Sequence, residues 1–189
     1  MVRAFVTQRL VSQLETLTPA ESQHILARVG DLAALGRLTS LAWSPLALHL
    51  ALMDAALELL GTQRFRLFFR DMTVSILQRS PISDLVATAI RLLGVSPLAI
   101  AKWSPRGWAL TFRAAGELRF LGSEGPGRAR VALESFPPEL YNAAVGEAVA
   151  AIFLAFYVVT LADGTVDMGP PDRKNGSIVF ELAWRERAR

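Results

Sequence analysis

The chain contains two histidines, His24 and His49, and no cysteine. Imidazole is a common general base and metal ligand near neutral pH, and His49 lies at the edge of an apolar helical stripe, where it could ligate haem iron. No second ligand, orienting carboxylate or haem-attachment motif occurs at a useful spacing. We therefore interpret His49 as a structural core residue. Without cysteine, the chain has no disulfide, thiolate nucleophile or cysteine-bound metal.

Two loop segments contain residues that could bind ions. Asp163, Asp167 and Asp172 could bind a divalent cation, but no glutamate closes an EF-hand spacing and Pro170-Pro171 interrupts the run. The glycine-rich run 122–127 lacks the Lys-Ser/Thr pair and the following helix of a phosphate-binding loop. We interpret the first segment as solvated loop acids and the second as a hairpin turn, and we expect no metal and no cofactor.

The net charge of +3 is carried mainly by arginine. One helical region and the C-terminal tail contain most of the clustered side chains: Arg64, Arg66, Arg70, Arg79, Arg91, Arg185, Arg187 and Arg189. Such a cluster suits an anionic partner, but no aromatic residues are interleaved for base stacking. We interpret these arginines as a solvated surface and expect no nucleic-acid partner.

The chain is 52% hydrophobic, with a mean hydropathy of +0.33. Its longest apolar candidate, residues 148–159, is shorter than the roughly 20 residues that cross a bilayer. No apolar segment with a cleavage site occurs near the N-terminus. We expect a cytoplasmic protein with no transmembrane segment.

Five Ser/Thr-Pro dipeptides predict helix starts, because proline suits the first helical position and a preceding hydroxyl can accept an unpaired amide. They are Thr18-Pro19, Ser44-Pro45, Ser80-Pro81, Ser96-Pro97 and Ser104-Pro105. Thr18 and Glu21 also have the spacing of a capping box. Apolar periodicity then predicts helices at residues 6–17, 19–29, 45–61, 62–78 and 81–94, a short one within 31–43, and a late one from Pro138.

Alternating residues predict strands after Trp103. Segments 117–120 and 129–133 are predicted to pair as a hairpin, and segment 178–184 has the sharpest strand pattern. The segment containing Trp108 is predicted either as a strand or as the end of a helix. Residues 156–161 are predicted as a further strand, and residues 162–176 as a mobile loop.

These patterns predict an α+β fold, in which an N-terminal helical layer packs on a twisted antiparallel sheet of about four strands, crossed by one late helix. No linker or internal repeat divides the chain. We predict a single α+β domain over residues 1–189, with a helical extension at 1–43 and a core at 44–189.

The order of several landmarks resembles a myxobacterial paralogous family of roughly 200-residue proteins, which is similar to the haem-nitric-oxide-binding-associated, vinyl-reductase-type and TRAPP-subunit-like ligand-binding superfamily. The landmarks are Trp43-Ser44-Pro45, Gly94-Val95-Ser96-Pro97, Trp108 ahead of Gly116-Glu117-Leu118, Gly127-Arg128-Ala129, Gly146-Glu147 and Phe180-Glu181-Leu182-Ala183-Trp184. The resemblance implies a sheet packed on helices, pairing through helical surfaces, and binding rather than catalysis. Many relatives have cysteines before the final strand, whereas this chain has Gly169 and Pro170 there.

We therefore predict a non-enzymatic regulatory module that binds a ligand or a protein through an apolar cavity or groove, and that forms a homodimer. A hydrophobic small molecule or a lipid is the expected ligand, with self-association or a protein as the other partner. Candidate lining residues are Leu50, Met53, Phe65, Phe68, Phe69, Phe153 and Phe156.

Two alternatives stay open. One is a protein-interaction adaptor with a solid core and an exposed apolar face. The other is an enzyme acting on a hydrophobic or tetrapyrrole-like substrate, which requires His49 or His24 to face a cavity beside a carboxylate such as Asp54 or Glu58.

Overall fold

The fold is α+β, as the sequence predicts. The computed structural model describes residues 1–29, 32–79, 96–172 and 174–186. Within these ranges the α-helices are α1 (Ala4–Gln13), α2 (Pro19–Ala27), α3 (Ala33–Gly36), α4 (Leu46–Arg79), α5 (Pro97–Thr111) and α6 (Ala143–Thr160). The strands are β1 (Val2–Arg3), β2 (Trp43–Ser44), β3 (Glu117–Ser123), β4 (Arg128–Glu134), β5 (Ala162–Met168) and β6 (Ile178–Glu186).

Helix α2 begins where its predicted capping box lies. The Thr18 hydroxyl accepts from the backbone N–H of Glu21 and the Glu21 carboxylate accepts from the backbone N–H of Thr18, which confirms the capping box at the start of α2. Strand β1 pairs antiparallel with β2, so that Val2 lies opposite Ser44. This pairing brings α1 against the start of α4.

Helix α4 contains one break, at the position that the sequence predicts. Gly61 has φ +69° and ψ 166°, a conformation outside the helical range that glycine adopts without steric cost. The two halves on either side correspond to the predicted helices at 45–61 and 62–78. The predicted helix at 81–94, with its Ser80-Pro81 start, lies outside the described residues.

Helix α5 confirms one predicted start and contradicts another. Ser96 caps it, accepting from the backbone N–H of Ala99, with Pro97 at the first position. Pro105, by contrast, lies inside the helix, so Ser104-Pro105 begins nothing, and the Ser104 hydroxyl donates to the carbonyl of Ala101. Trp108 belongs to the end of this helix, as one of the two predicted alternatives states.

The predicted helix start at Ser44-Pro45 is confirmed to within one residue, but the Ser44 hydroxyl does not cap the helix. Ser44 lies in β2, and its hydroxyl donates to the carbonyl oxygen of Val2 at 3.1 Å. Helix α4 begins at Leu46, directly after the proline. The hydroxyl is therefore bonded to the neighbouring strand.

The main sheet is antiparallel, in the order β3-β4-β6-β5. Strands β3 and β4 form the predicted hairpin. Helix α6 connects β4 to β5, and β5 pairs with the side of β6 that faces away from β4. The predicted strand at 156–161 is wrong, because α6 continues to Thr160 and ends at Leu161 with φ 55°. The predicted loop at 162–176 is also wrong in its first half, which is the edge strand β5.

Helix α6 is the most apolar element of the fold. By length and composition alone its 18 residues could cross a membrane, and 67% of that stretch is buried inside the protein. It packs on α4, where the half-buried Arg66 guanidinium forms an ion pair with the Glu147 carboxylate. Glu147, 8% exposed, is thus paired where α6 meets α4.

Candidate functional site

A cavity of about 130 Å³ lies among α1, α4, α5 and α6. Aromatic and aliphatic side chains form most of its wall, and among the described residues none that line it is charged. Its helical lining comprises Phe5 and Val6 from α1; Phe69, Met72, Thr73, Ile76 and Leu77 from α4; Ala99, Ile100, Trp103, Ser104, Gly107, Trp108 and Thr111 from α5, with Phe112 directly after it; and Ile152, Phe156 and Val159 from α6. Leu118 on β3 is the sheet residue in this wall.

The hydroxyl groups around this cavity are bonded within their own helices. Thr73 donates to the carbonyl of Phe69, Ser104 to that of Ala101, and Thr111 to that of Gly107, each at 2.8 Å. The Trp108 indole N–H donates to the carbonyl of Gly116 at 3.0 Å. Because each of these protons already has an acceptor, the wall attracts a ligand by apolar contact and shape.

A second, smaller cavity of about 20 Å³ shares a wall with the first. The shared residues are Phe69, Trp108, Phe112 and Ile152. His49 lines the smaller cavity and is 1% exposed, with its ring centroid 6.4 Å from that of Phe69 and 6.4 Å from that of Phe112. Burial lowers the pKa of His49 to about 4, so its imidazole is neutral at physiological pH.

The Nδ1 atom of His49 is held by a short chain of buried polar groups. It lies 3.2 Å from the Thr7 hydroxyl, which lies 3.5 Å from the Ser44 hydroxyl, which donates to Val2. Thr7 and Ser44 are fully buried. Sequence reasoning placed His49 beside the apolar stripe, but it missed Thr7, which comes from a helix 42 residues away and has no local pattern.

Four of the seven candidate lining residues lie at the cavities and three do not. Phe69 lines both cavities, Phe156 the larger one, and Leu50 and Met53 the smaller one. Phe65, Phe68 and Phe153 are buried in the hydrophobic core outside both cavities. The cavity residues contributed by α5 were not among the candidates, although the aromatic spacing of Trp103 and Trp108 was a usable signal.

The other predicted candidates lie apart from the cavities. His24 is exposed on α2, in the neighbourhood of Glu58, whose carboxylate pairs with Arg28. Asp54 is exposed on α4. In the described part of the chain, neither histidine therefore faces a cavity beside a carboxylate.

The acidic residues of the predicted loop are separated by the structure. Asp163 and Asp167 lie on β5, and the Asp172 carboxylate accepts from the backbone N–H groups of Lys174 and Asn175 in a tight turn. Residues 1–29, 32–79, 96–172 and 174–186 contain no group of three or more His, Cys, Asp or Glu residues placed to hold a metal.

Three of the clustered arginines take part in ion pairs. Arg64 pairs with Glu21, Arg66 with Glu147, and Arg70 with Asp71. These contacts reduce the free positive charge on that part of α4. The two more exposed pairs, Arg64–Glu21 and Arg70–Asp71, contribute little to stability, typically below about 1 kcal/mol each.

The element order and the sheet of this chain are similar to those of solved H-NOX domains. A Cs H-NOX mutant containing 4-cyano-L-phenylalanine has a TM-score of 0.66 at 11% identity, covering 100% of this chain and 98% of its own. The Fe(II) unliganded H-NOX protein from K. algicida has a TM-score of 0.62 at 11% identity, covering 100% and 99%. An oxygen-binding H-NOX domain related to soluble guanylate cyclases has a TM-score of 0.60 at 10% identity, covering 99% and 99%.

No protein-family model and no curated protein matches the chain. At 10–11% identity these solved structures show a shared fold. The relations to the haem-nitric-oxide-binding-associated superfamily, to a myxobacterial family, to TRAPP subunits and to vinyl reductases stay predictions.

H-NOX structures are described in terms of haem, so the fit of this chain to haem needs testing. Iron in haem is held by His, Cys, Met or Tyr. Of these types the larger cavity has Met72 alone among the described residues, and residues 80–95 contain none. His49 lines only the smaller cavity, whose volume of about 20 Å³ is far below that of a porphyrin. No charged side chain of the described wall is available to pair with a propionate. A volume of about 130 Å³ suits a single ring rather than a porphyrin, since a cavity near 150 Å³ binds benzene. Haem does not fit this site.

Proposed function

We propose that the chain is a non-enzymatic, ligand-binding regulatory module whose ligand is a small, uncharged, hydrophobic molecule held in the larger cavity. The observation that carries this proposal is a cavity of about 130 Å³ with a largely apolar wall. The hydroxyl groups in this wall, on Thr73, Ser104 and Thr111, already donate to carbonyls of their own helices. Apolar burial is then the main source of affinity, at roughly 25 cal/mol per Å² of apolar surface. The H-NOX fold, in which one relative is described as oxygen-binding, supports a sensor role.

We propose that this module works in the cytoplasm, either as a homodimer that pairs through helical surfaces or as the partner of another protein. A lipid chain is a second ligand that the apolar wall would accept. Native mass spectrometry of gently purified protein tests the dimer and any retained ligand together, because a bare monomer mass contradicts both.

Toluene tests the cavity directly, because it matches the size of one ring. Trp103 and Trp108 line the wall, so their fluorescence should change when toluene is titrated in. Ala99→Leu adds volume at the cavity wall and should weaken toluene binding about fivefold or more. Ala109→Leu is the matched control, since Ala109 is exposed on the same helix and should change nothing.

The outcomes separate the competing functions. Toluene binding that is weakened by Ala99→Leu and unaffected by Ala109→Leu supports the ligand-binding module. Absence of binding to the wild-type chain favours the adaptor with a solid core. A hemin titration that yields a defined, saturable protein-bound spectrum would contradict the single-ring ligand and the misfit of haem.

A further inference from the structure

The imidazole of His49 has one bonded nitrogen and one free nitrogen. Nδ1 contacts the Thr7 hydroxyl, and Nε2, on the other side of the ring, has no hydrogen-bond partner among residues 1–29, 32–79, 96–172 and 174–186. The ring is 99% buried, and the space that it borders is the smaller cavity. A polar atom at a cavity wall without a partner in the fold is a candidate hydrogen-bond site for a molecule in that cavity.

The directions of the hydrogen bonds fix the tautomer of this ring. Ser44 uses its single hydroxyl proton to donate to Val2, so in the contact between the two hydroxyls Thr7 must be the donor. The Thr7 proton is then used, and in the contact with His49 the donor must be Nδ1–H. Nε2 therefore carries a lone pair and no proton, and it can only accept.

A water molecule is a poor partner for this lone pair. The smaller cavity is about the size of one water, but apart from His49 it is walled by apolar side chains, a Met and the Trp108 indole, whose N–H is bonded to Gly116. Buried waters generally have two to four polar partners. A group that brings both an apolar body and one donor satisfies the site better.

We propose that Nε2 of His49 accepts a hydrogen bond from the single O–H or N–H donor of an otherwise apolar one-ring ligand. The proposal rests on the proposed function, because the ring of that ligand occupies the larger cavity. Phe69 and Phe112 line both cavities and both lie beside His49, so a displacement of the half-buried Phe112 joins the two spaces. The site then selects phenol-like or indole-like molecules over plain hydrocarbons.

Paired titrations with toluene and p-cresol test the selection, because the two molecules differ by one hydroxyl. The ratio of the toluene Kd to the p-cresol Kd should fall by about three- to tenfold in His49→Phe, the worth of one hydrogen bond. The Kd of toluene should stay within about twofold of its wild-type value. His24→Phe, the same substitution at the exposed histidine, should leave the ratio unchanged.

Nitrogen-15 NMR of histidine-labelled protein tests the tautomer without any ligand. The two ring nitrogens of His49 should show the pattern of a neutral imidazole protonated at Nδ1, and Thr7→Val should release that preference. His24→Phe assigns the signals by leaving one ring.

The possible results distinguish the role of His49 from the ligand-binding function as a whole. Toluene binding with a ratio that is the same in wild type and His49→Phe overturns the role of His49 and leaves the ligand-binding module intact. An Nε2–H tautomer overturns the role of His49 on its own. Failure of both toluene and p-cresol to bind overturns the proposed function together with this inference.

Discussion

The two cavities share a wall, but their polar groups are bonded in different ways. Around the larger cavity, Thr73 and Thr111 donate to carbonyls one turn back in their own helices. Beside the smaller cavity, His49 depends on Thr7 and Ser44, which come from other elements. Local bonds of the first kind survive a change in tertiary structure, whereas the second set exists only in the folded chain. The comparison indicates that the larger cavity supplies volume and the smaller one supplies polarity.

Removing the wall between the cavities should have the largest effect. Phe69 is 3% exposed, lines both cavities and stacks on Phe65 with centroids 5.6 Å apart. We expect Phe69→Ala to lower the free energy of unfolding by about 3–5 kcal/mol and to merge the two spaces. Urea denaturation measures the change. Leu67→Ala, at an exposed position of the same helix, is the control and should cost far less; a loss below about 1 kcal/mol for Phe69→Ala would contradict the shared wall.

The next effect concerns pH and belongs to the smaller cavity alone. The pKa of His49 is about 4 in the folded chain and about 6.5 when unfolded, so between these values the unfolded state binds more protons. Stability is therefore complete above pH 6.5 and is lost as pH falls towards 4. Between pH 7.5 and pH 5 we expect the wild type to lose about 2 kcal/mol more than His49→Leu. Equal losses in the two proteins, measured by urea denaturation at both pH values, would mean that His49 is accessible to water.

Breaking the polar chain should have an intermediate effect. Thr7→Val leaves Nδ1 of His49 buried without a partner, and we expect it to cost about 1–2 kcal/mol. The double variant Thr7→Val/His49→Leu removes both groups and should recover most of that loss. A double-mutant cycle by thermal and urea unfolding measures the coupling, and additive losses would show that the two side chains do not interact.

The same substitution at the larger cavity should have the smallest effect. Thr73→Val removes a hydroxyl that donates to a carbonyl of its own helix, a contact that contributes little to helix stability. We expect a change within about 0.5 kcal/mol, measured in parallel with Thr7→Val. A cost as large as that of Thr7→Val would remove the distinction between the two cavities.

The sequence correctly predicted those features of the fold that depend on residues close together in the chain. The capping box at Thr18 and Glu21, the break at Gly61 and the hairpin of β3 and β4 all follow from residues close together in the chain, and the structure confirms them. The α+β fold class followed from the order of these elements along the chain.

The wrong predictions have a common physical cause, which is tertiary context overriding local propensity. Residues 156–160 are β-branched or aromatic, yet they continue α6, in which Phe156 lines the larger cavity and Tyr157 is buried. Strand β5 was missed because five of its seven residues are not buried and its acids suggested a loop. The contact of His49 with Thr7 spans 42 residues and has no local pattern that could predict it.

Both edges of the main sheet carry charged side chains on exposed positions. Strand β3 has Glu117 and Arg119, and strand β5 has Asp163 and Asp167. Charges on an edge strand hinder the addition of a strand from another molecule. Copies of this chain are therefore protected against open-ended stacking through the edges of their sheets.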